Sequence, residues 1–168
     1  MNEPKVRPQS TMQPARFVLL RHDWPEPHRD LIYETTVDRQ EDFLPTWALY
    51  SANTNEDAFP PDRTQTGRAI ELEPHRRAYL DYEGPVSGGR GRVEQECRGT
   101  VVRSEHGNNG DTVRLEVVII STGGRERRGE ILIEPRPSDS IVRLIQVSSR
   151  HAQNGLSGHV FEWRPVEI

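Results

Sequence analysis

The sequence predicts a mainly β protein, a barrel or a sandwich of short strands. Three observations carry the prediction. Short apolar or alternating runs recur along the chain, separated by clusters of Pro, Gly, Asn and Asp. The only stretch that competes as a helix, AIELEPHRRAYL (69–80), is interrupted by Pro74. No internal repeat or low-complexity block suggests another architecture.

Taken in order, residues 1–15 (MNEPKVRPQSTMQPA) are polar and proline-punctuated and read as a flexible arm. Residues 16–168 read as one domain, as a chain of 168 residues leads one to expect. RFVLLRH (16–22) reads as a strand, DWPEP (23–27) as a tight connection and HRDLIYETTV (28–37) as the next strand. DRQEDFLP (38–45) is a loop, TWALYS (46–51) a short strand, and ANTNEDAFPPDRTQTG (52–67) a long polar loop. RAIELE (68–73) alternates like a strand, RAYLDYEG (77–84) is a further strand candidate, and PVSGGRG (85–91) is a glycine-rich turn. TVRLEVVIIS (112–121) and EILIEP (130–135) flank the turn TGGRERRG, and IVRLIQVSS (141–149) and HVFEWRPVEI (159–168) complete the strands.

Composition narrows the function classes. Apolar residues make up 33% and the mean hydropathy is -0.78, which leans polar. No run is long enough to span a membrane and none resembles a signal peptide, so no membrane partner is expected. The single cysteine, Cys97, allows no internal disulfide, and a reducing cytoplasmic location fits best. Cys97 has no CxxC partner, so a catalytic thiol is not expected. A net charge of -4 argues against a large non-specific DNA footprint. Of 22 basic residues only Lys5 is lysine. Arginine codon bias explains that economically, yet a local arginine cluster can still serve a phosphate site.

RHDWPEPHRDLIYE (21–34) carries the first chemistry. Strand side chains alternate faces, so His28, Asp30, Ile32 and Glu34 share one face. The five-residue connection can bring His22 back beside His28. Two imidazoles and a carboxylate then converge, a donor set that suits manganese, zinc or iron(II). The competing reading is a solvated hairpin with His28 hydrogen-bonded to Asp30. Trp24 is expected to pack over the hairpin, with stacking on a base as the alternative.

EPHRRAYLDYEGPVSGGRG (73–91) carries the second. His75 and Tyr79 can both donate to a phosphate oxygen, with Arg76 and Arg77 nearby. The glycines permit close backbone approach. An ordinary hairpin with a glycine-rich turn is the alternative. No helix or GK[ST] follows, so a P-loop is rejected.

Together the two stretches resemble the 3′-phosphoesterase domain family of bacterial DNA ligase D. That family has a strand, then HD, a gap, and H-x-D, here RFVLLRHDWPEPHRD. A tryptophan strand follows, here TWALYS, and then HRRAYLDYEGPVSGGRG matches a histidine, a tyrosine, an acidic-aromatic-Glu-Gly run and a glycine turn. The match runs from about 16 to 100. The resemblance implies a small closed or partly open β-barrel with few short helices, holding a manganese site in its interior or rim. It implies His22, His28 and Asp30 as ligands of Mn2+ or another divalent transition metal. It implies catalytic roles for His75 and Tyr79, which would hold the scissile phosphate, and for Glu73. The implied reaction removes a 3′-ribonucleotide or 3′-phosphate in DNA end joining. DNA or RNA-tipped DNA 3′ ends are the expected partners, together with a separate ligase or polymerase.

Two departures stand out. The family has an arginine where this chain has Ile32 and a lysine where it has Ser51. Arg68, Arg76 or Arg77 can substitute, and Arg77 comes first because a regular strand would give it the parity of His75 and Tyr79. The missing cations leave two further readings open. One is a catalytically weak or inactive module of the same fold that binds DNA ends or a repair protein. The other is a different metalloenzyme with a two-His-one-carboxylate set.

Overall fold

The computed structural model describes residues 13–37, 40–51, 63–120, 124–135 and 158–166. Nine strands dominate them: β1 (Ala15–His22), β2 (His28–Tyr33), β3 (Phe43–Ser51), β4 (Gln65–Arg76), β5 (Gly84–Pro85), β6 (Arg92–His106), β7 (Val113–Ile120), β8 (Glu126–Pro135) and β9 (His159–Val166). Neighbours run antiparallel in the order β1-β2-β3-β4-β9-β8-β7-β6-β5, and β1 also pairs with β6. Eight strands therefore close a ring, and β5 hangs outside it on β6. The mainly β expectation and the barrel are both met. Among the described residues no helix is long and apolar enough to cross a membrane.

Strand alternation divides the apolar side chains between two cores. One takes residues from all eight ring strands, among them Phe17, Leu19, Leu31, Tyr33, Trp47, Leu115, Ile133 and Trp163, and so fills the barrel interior. Gly129 has no Cβ because the Trp163 indole lies against its backbone. The second core is smaller and lies on the outer face of β1–β3 and β6: Val18, Leu20, Ile32, Leu44, Leu80 and Val93. A short 3₁₀ turn, Arg77–Leu80, covers it and contributes Leu80.

Three bulges re-aim side chains. Between Leu19 and Leu20 the β6 ladder skips Glu96, whose carboxylate accepts from Arg29 at 2.6 and 3.1 Å and from Arg21 at 3.3 Å. A second bulge falls between Val101 and Arg103. The third, between Leu44 and Thr46, sets Pro45 opposite Glu73 and Pro74. Two residues without an N–H interrupt the ladder there. Beyond the bulge His75 pairs with Leu44, and its N–H donates to the Thr46 hydroxyl at 3.2 Å. Uninterrupted parity would have sent His75 inward with Ala69; the bulge turns it to the outer face.

The structure corrects several expected boundaries. β2 stops at Tyr33, while β3 and β8 begin earlier than the expected strands. The expected strand 77–84 is instead the 3₁₀ turn followed by the two-residue β5, because the chain turns after the proline bulge to cap the outer core. β6, the longest strand, falls where no strand was expected. The expected strand 141–149, most of the arm and most of the 52–67 loop lie outside the described residues.

Candidate metal centre

β1 and β2 form a hairpin whose register pairs Leu20 with Asp30 and ends on His22 opposite His28. These side chains share the outer face with Val18 and Ile32. The cluster thus lies on the outside of the barrel wall, at the end of the second core, and not in the barrel interior that the resemblance allowed. Asp30 and His28 are buried, and the His22 side chain is 12% exposed. One ligand atom from each of the three lies within 4.8 Å of the others.

The hydrogen-bond geometry is informative. His22 Nε2 lies 2.8 Å from the Arg90 carbonyl and its Nδ1 lies 3.0 Å from Asp30 Oδ2. His28 Nδ1 lies 2.8 Å from the Glu26 carbonyl and its Nε2 lies 3.0 Å from Asp30 Oδ1. Each ring therefore faces an acceptor at both nitrogens, whereas a neutral imidazole carries one proton. With that proton donated to the carbonyl, the second nitrogen turns a lone pair toward a carboxylate oxygen. A cation between them would be held by both lone pairs and the carboxylate. Burial lowers the His28 pKa, but the hydrogen bond and charge of Asp30, with help from Glu26, outweigh it and leave a net rise. Imidazoles fixed from behind by carbonyls, with inner nitrogens converging on a carboxylate, are the arrangement of a histidine metal site. The donor set fits a divalent transition ion.

Two connections hold these carbonyls. Glu26 belongs to the β1–β2 connection, which contains a cis Trp24–Pro25 bond. Arg90 belongs to the glycine-rich turn, latched to the hairpin by Arg92 N–H donating to Asp23 Oδ1 at 2.7 Å. Trp24 remains 44% exposed, so its expected packing over the hairpin covers it only in part.

Of the other residues singled out by the sequence, His75 and Tyr79 lie elsewhere on this face. The His75 and Tyr79 rings meet edge to face, 5.4 Å apart, and Tyr79 packs on the second core. Asp30 pairs with Ala48 and His75 with Leu44, so the two groups are about 13 Å apart along β3 at ~3.3 Å per residue. Glu73 and Arg76 are exposed. Arg77 sits in the 3₁₀ turn, so the parity expected with His75 and Tyr79 does not hold. Its guanidinium forms an ion pair with Glu34 and donates to the Glu41 carbonyl. Ile32 is fully buried in the second core. Ser51 accepts a hydrogen bond from Gln65.

Sequence reasoning missed Tyr50 as a neighbour of the cluster. Its ring stacks on His28 with centroids 5.2 Å apart. Burial, with Glu26 close by, raises its phenol pKa. The available signal was parity, since Tyr50 shares the face of Ala48, opposite Asp30. No protein-family model matches the chain, and a search of curated proteins finds no match.

Proposed function

We propose that this chain is a metal-dependent phosphoesterase that trims nucleic-acid 3′ ends, similar in kind to the 3′-phosphoesterase domains of bacterial DNA ligase D. The observation that carries the reading is the pair of carbonyl-anchored imidazoles converging on Asp30. His22 through Nδ1, His28 through Nε2 and Asp30 would hold the ion, with manganese the first choice and cobalt or zinc compatible. A divalent ion supplies Lewis-acid polarisation of a phosphoryl oxygen. Asp30 offsets part of its charge, and the carbonyls of Glu26 and Arg90 keep the imidazole lone pairs aimed. His75 and Tyr79, farther along the face, would donate to the backbone of a bound strand beyond its terminal phosphate. The trimmed 3′-hydroxyl would pass to a separate ligase or polymerase.

The test is a primer-template blocked with a 3′-phosphate or a 3′-terminal ribonucleotide. Manganese-stimulated release of phosphate or nucleoside is expected, and it should disappear in Asp30→Asn. No release with manganese, cobalt or zinc would overturn the reading. One observation favours a second reading: the place where the resemblance expects an arginine is Ile32, buried in an apolar core. A protein that retards blocked ends in a gel shift without turning them over would be a DNA-end binding module of the same fold.

A further inference from the structure

Where the site finds its cation is open in the proposed reaction. Ile32 is apolar core, Arg77 is committed to Glu34, and His75 lies well along the strand from Asp30. The register pairs Tyr50 with Arg68 at the His28 end of the face. The Arg68 guanidinium carbon lies 4.4 Å from the Tyr50 ring centroid, and that ring in turn stacks on His28. The fork is thus held in place by a cation–π contact beside the candidate ligands. Among the described residues its one ion pair, to Glu26 Oε1, is 3.7 Å long, and its guanidinium makes no hydrogen bond. Its donors remain largely uncommitted, and its side chain is 21% exposed.

Resting on the reading above, we propose that Arg68 is the anion-binding residue of this site, with Tyr50 as its platform. It would take a terminal phosphate group of the substrate beside the ion. A guanidinium fork matches two phosphate oxygens at once, which makes arginine suited to this task. Glu26 occupies the fork loosely in the absence of substrate. An incoming phosphate displaces that carboxylate, so Glu26 competes with the ligand.

The experiment measures two affinities independently of turnover. Calorimetry gives the manganese affinity, and 31P line broadening by bound manganese gives the affinity for inorganic phosphate. Wild type is compared with Arg68→Gln, Arg68→Lys and Glu26→Gln. Arg68→Gln should weaken phosphate at least about tenfold, the worth of a charge-assisted hydrogen bond, with manganese affinity within about twofold. Arg68→Lys should recover part of the loss, and Glu26→Gln should tighten phosphate. Unchanged phosphate affinity in Arg68→Gln overturns the proposal. Parallel loss of manganese and phosphate also overturns it, by making Arg68 structural. If wild type binds no metal, the functional reading falls separately, and calorimetric phosphate titration of the metal-free protein then decides. Arg68-dependent binding supports the anion site; absent or Arg68-independent binding removes it.

Discussion

His22 and Arg90 meet across 68 positions of sequence, with the imidazole Nε2–H donating to the Arg90 carbonyl at 2.8 Å. The glycine-rich turn therefore helps fix which nitrogen of His22 faces Asp30. Gly91 has φ +72°, and a Cβ there would overlap Asp23 Oδ1 and the Trp24 Cβ. Gly91→Ala should displace the turn and free His22 to rotate. The expected result is a ~10–100-fold loss of metal affinity in calorimetry, as is typical when an outer partner of a ligand is lost.

Ile32→Arg would restore the charge that the resemblance expects. It should not raise activity. Ile32 is fully buried against Val18, Leu20, Leu44, Leu80 and Val93, and the carboxylates that flank it on its face are already engaged, Asp30 by His22 and His28 and Glu34 by Arg77. The substitution should cost about 3 kcal/mol or more of stability in urea unfolding. A stable variant with raised activity would contradict this account of the outer core.

Glu34 and Arg77 clamp the 3₁₀ turn onto the sheet. The buried Glu34 carboxylate pairs with Arg77 and also accepts the Arg16 N–H at 2.7 Å. Arg77→Ala should destabilise the fold by about 1–3 kcal/mol, because it leaves a buried carboxylate short of a partner. Metal affinity should stay within about twofold of wild type, and a larger change would give Arg77 a place in the site.

His106 sets a pH dependence at the other side of the fold. Burial holds Tyr33 protonated well above its usual range, and its hydroxyl is hydrogen-bonded to His106 Nε2 at 3.0 Å. Desolvation lowers the pKa of His106. The folded state thus prefers the neutral ring, and its stabilising effect is complete above about pH 6.5, the unfolded value. It should be lost as pH falls from there through the lowered folded value. Urea midpoints at pH 7.5 and 5.5 should differ less in His106→Gln than in wild type.

Much of this molecule is legible in its sequence, and the exceptions have identifiable physical causes. RFVLLRH and HRDLIY are short apolar runs buried on both faces, and the five residues between them bring His22 opposite His28. TVRLEVVII is legible by its alternation of buried and exposed positions. β6 does not: RVEQECRGTVVRSEH is polar, and bulges at Glu96 and Val102 break its period of two. Barrel closure depends on that strand pairing with β1, a non-local contact that no local pattern encodes. His75 was legible as a residue, but its face was not, because the bulge beside Pro45 and Pro74 changes its parity. Arg77 was misplaced for a related reason, a strand pattern that became a turn. The carbonyls behind His22 and His28 are backbone atoms, which no residue pattern can mark.

The central claim is that His22, His28 and Asp30 hold a divalent ion, and calorimetric titration of metal-free protein with manganese tests it most directly. One ion per chain is predicted in wild type, with binding abolished or weakened by orders of magnitude in Asp30→Asn while the fold is retained. Absence of binding in wild type, or binding that Asp30→Asn leaves intact, would contradict the account.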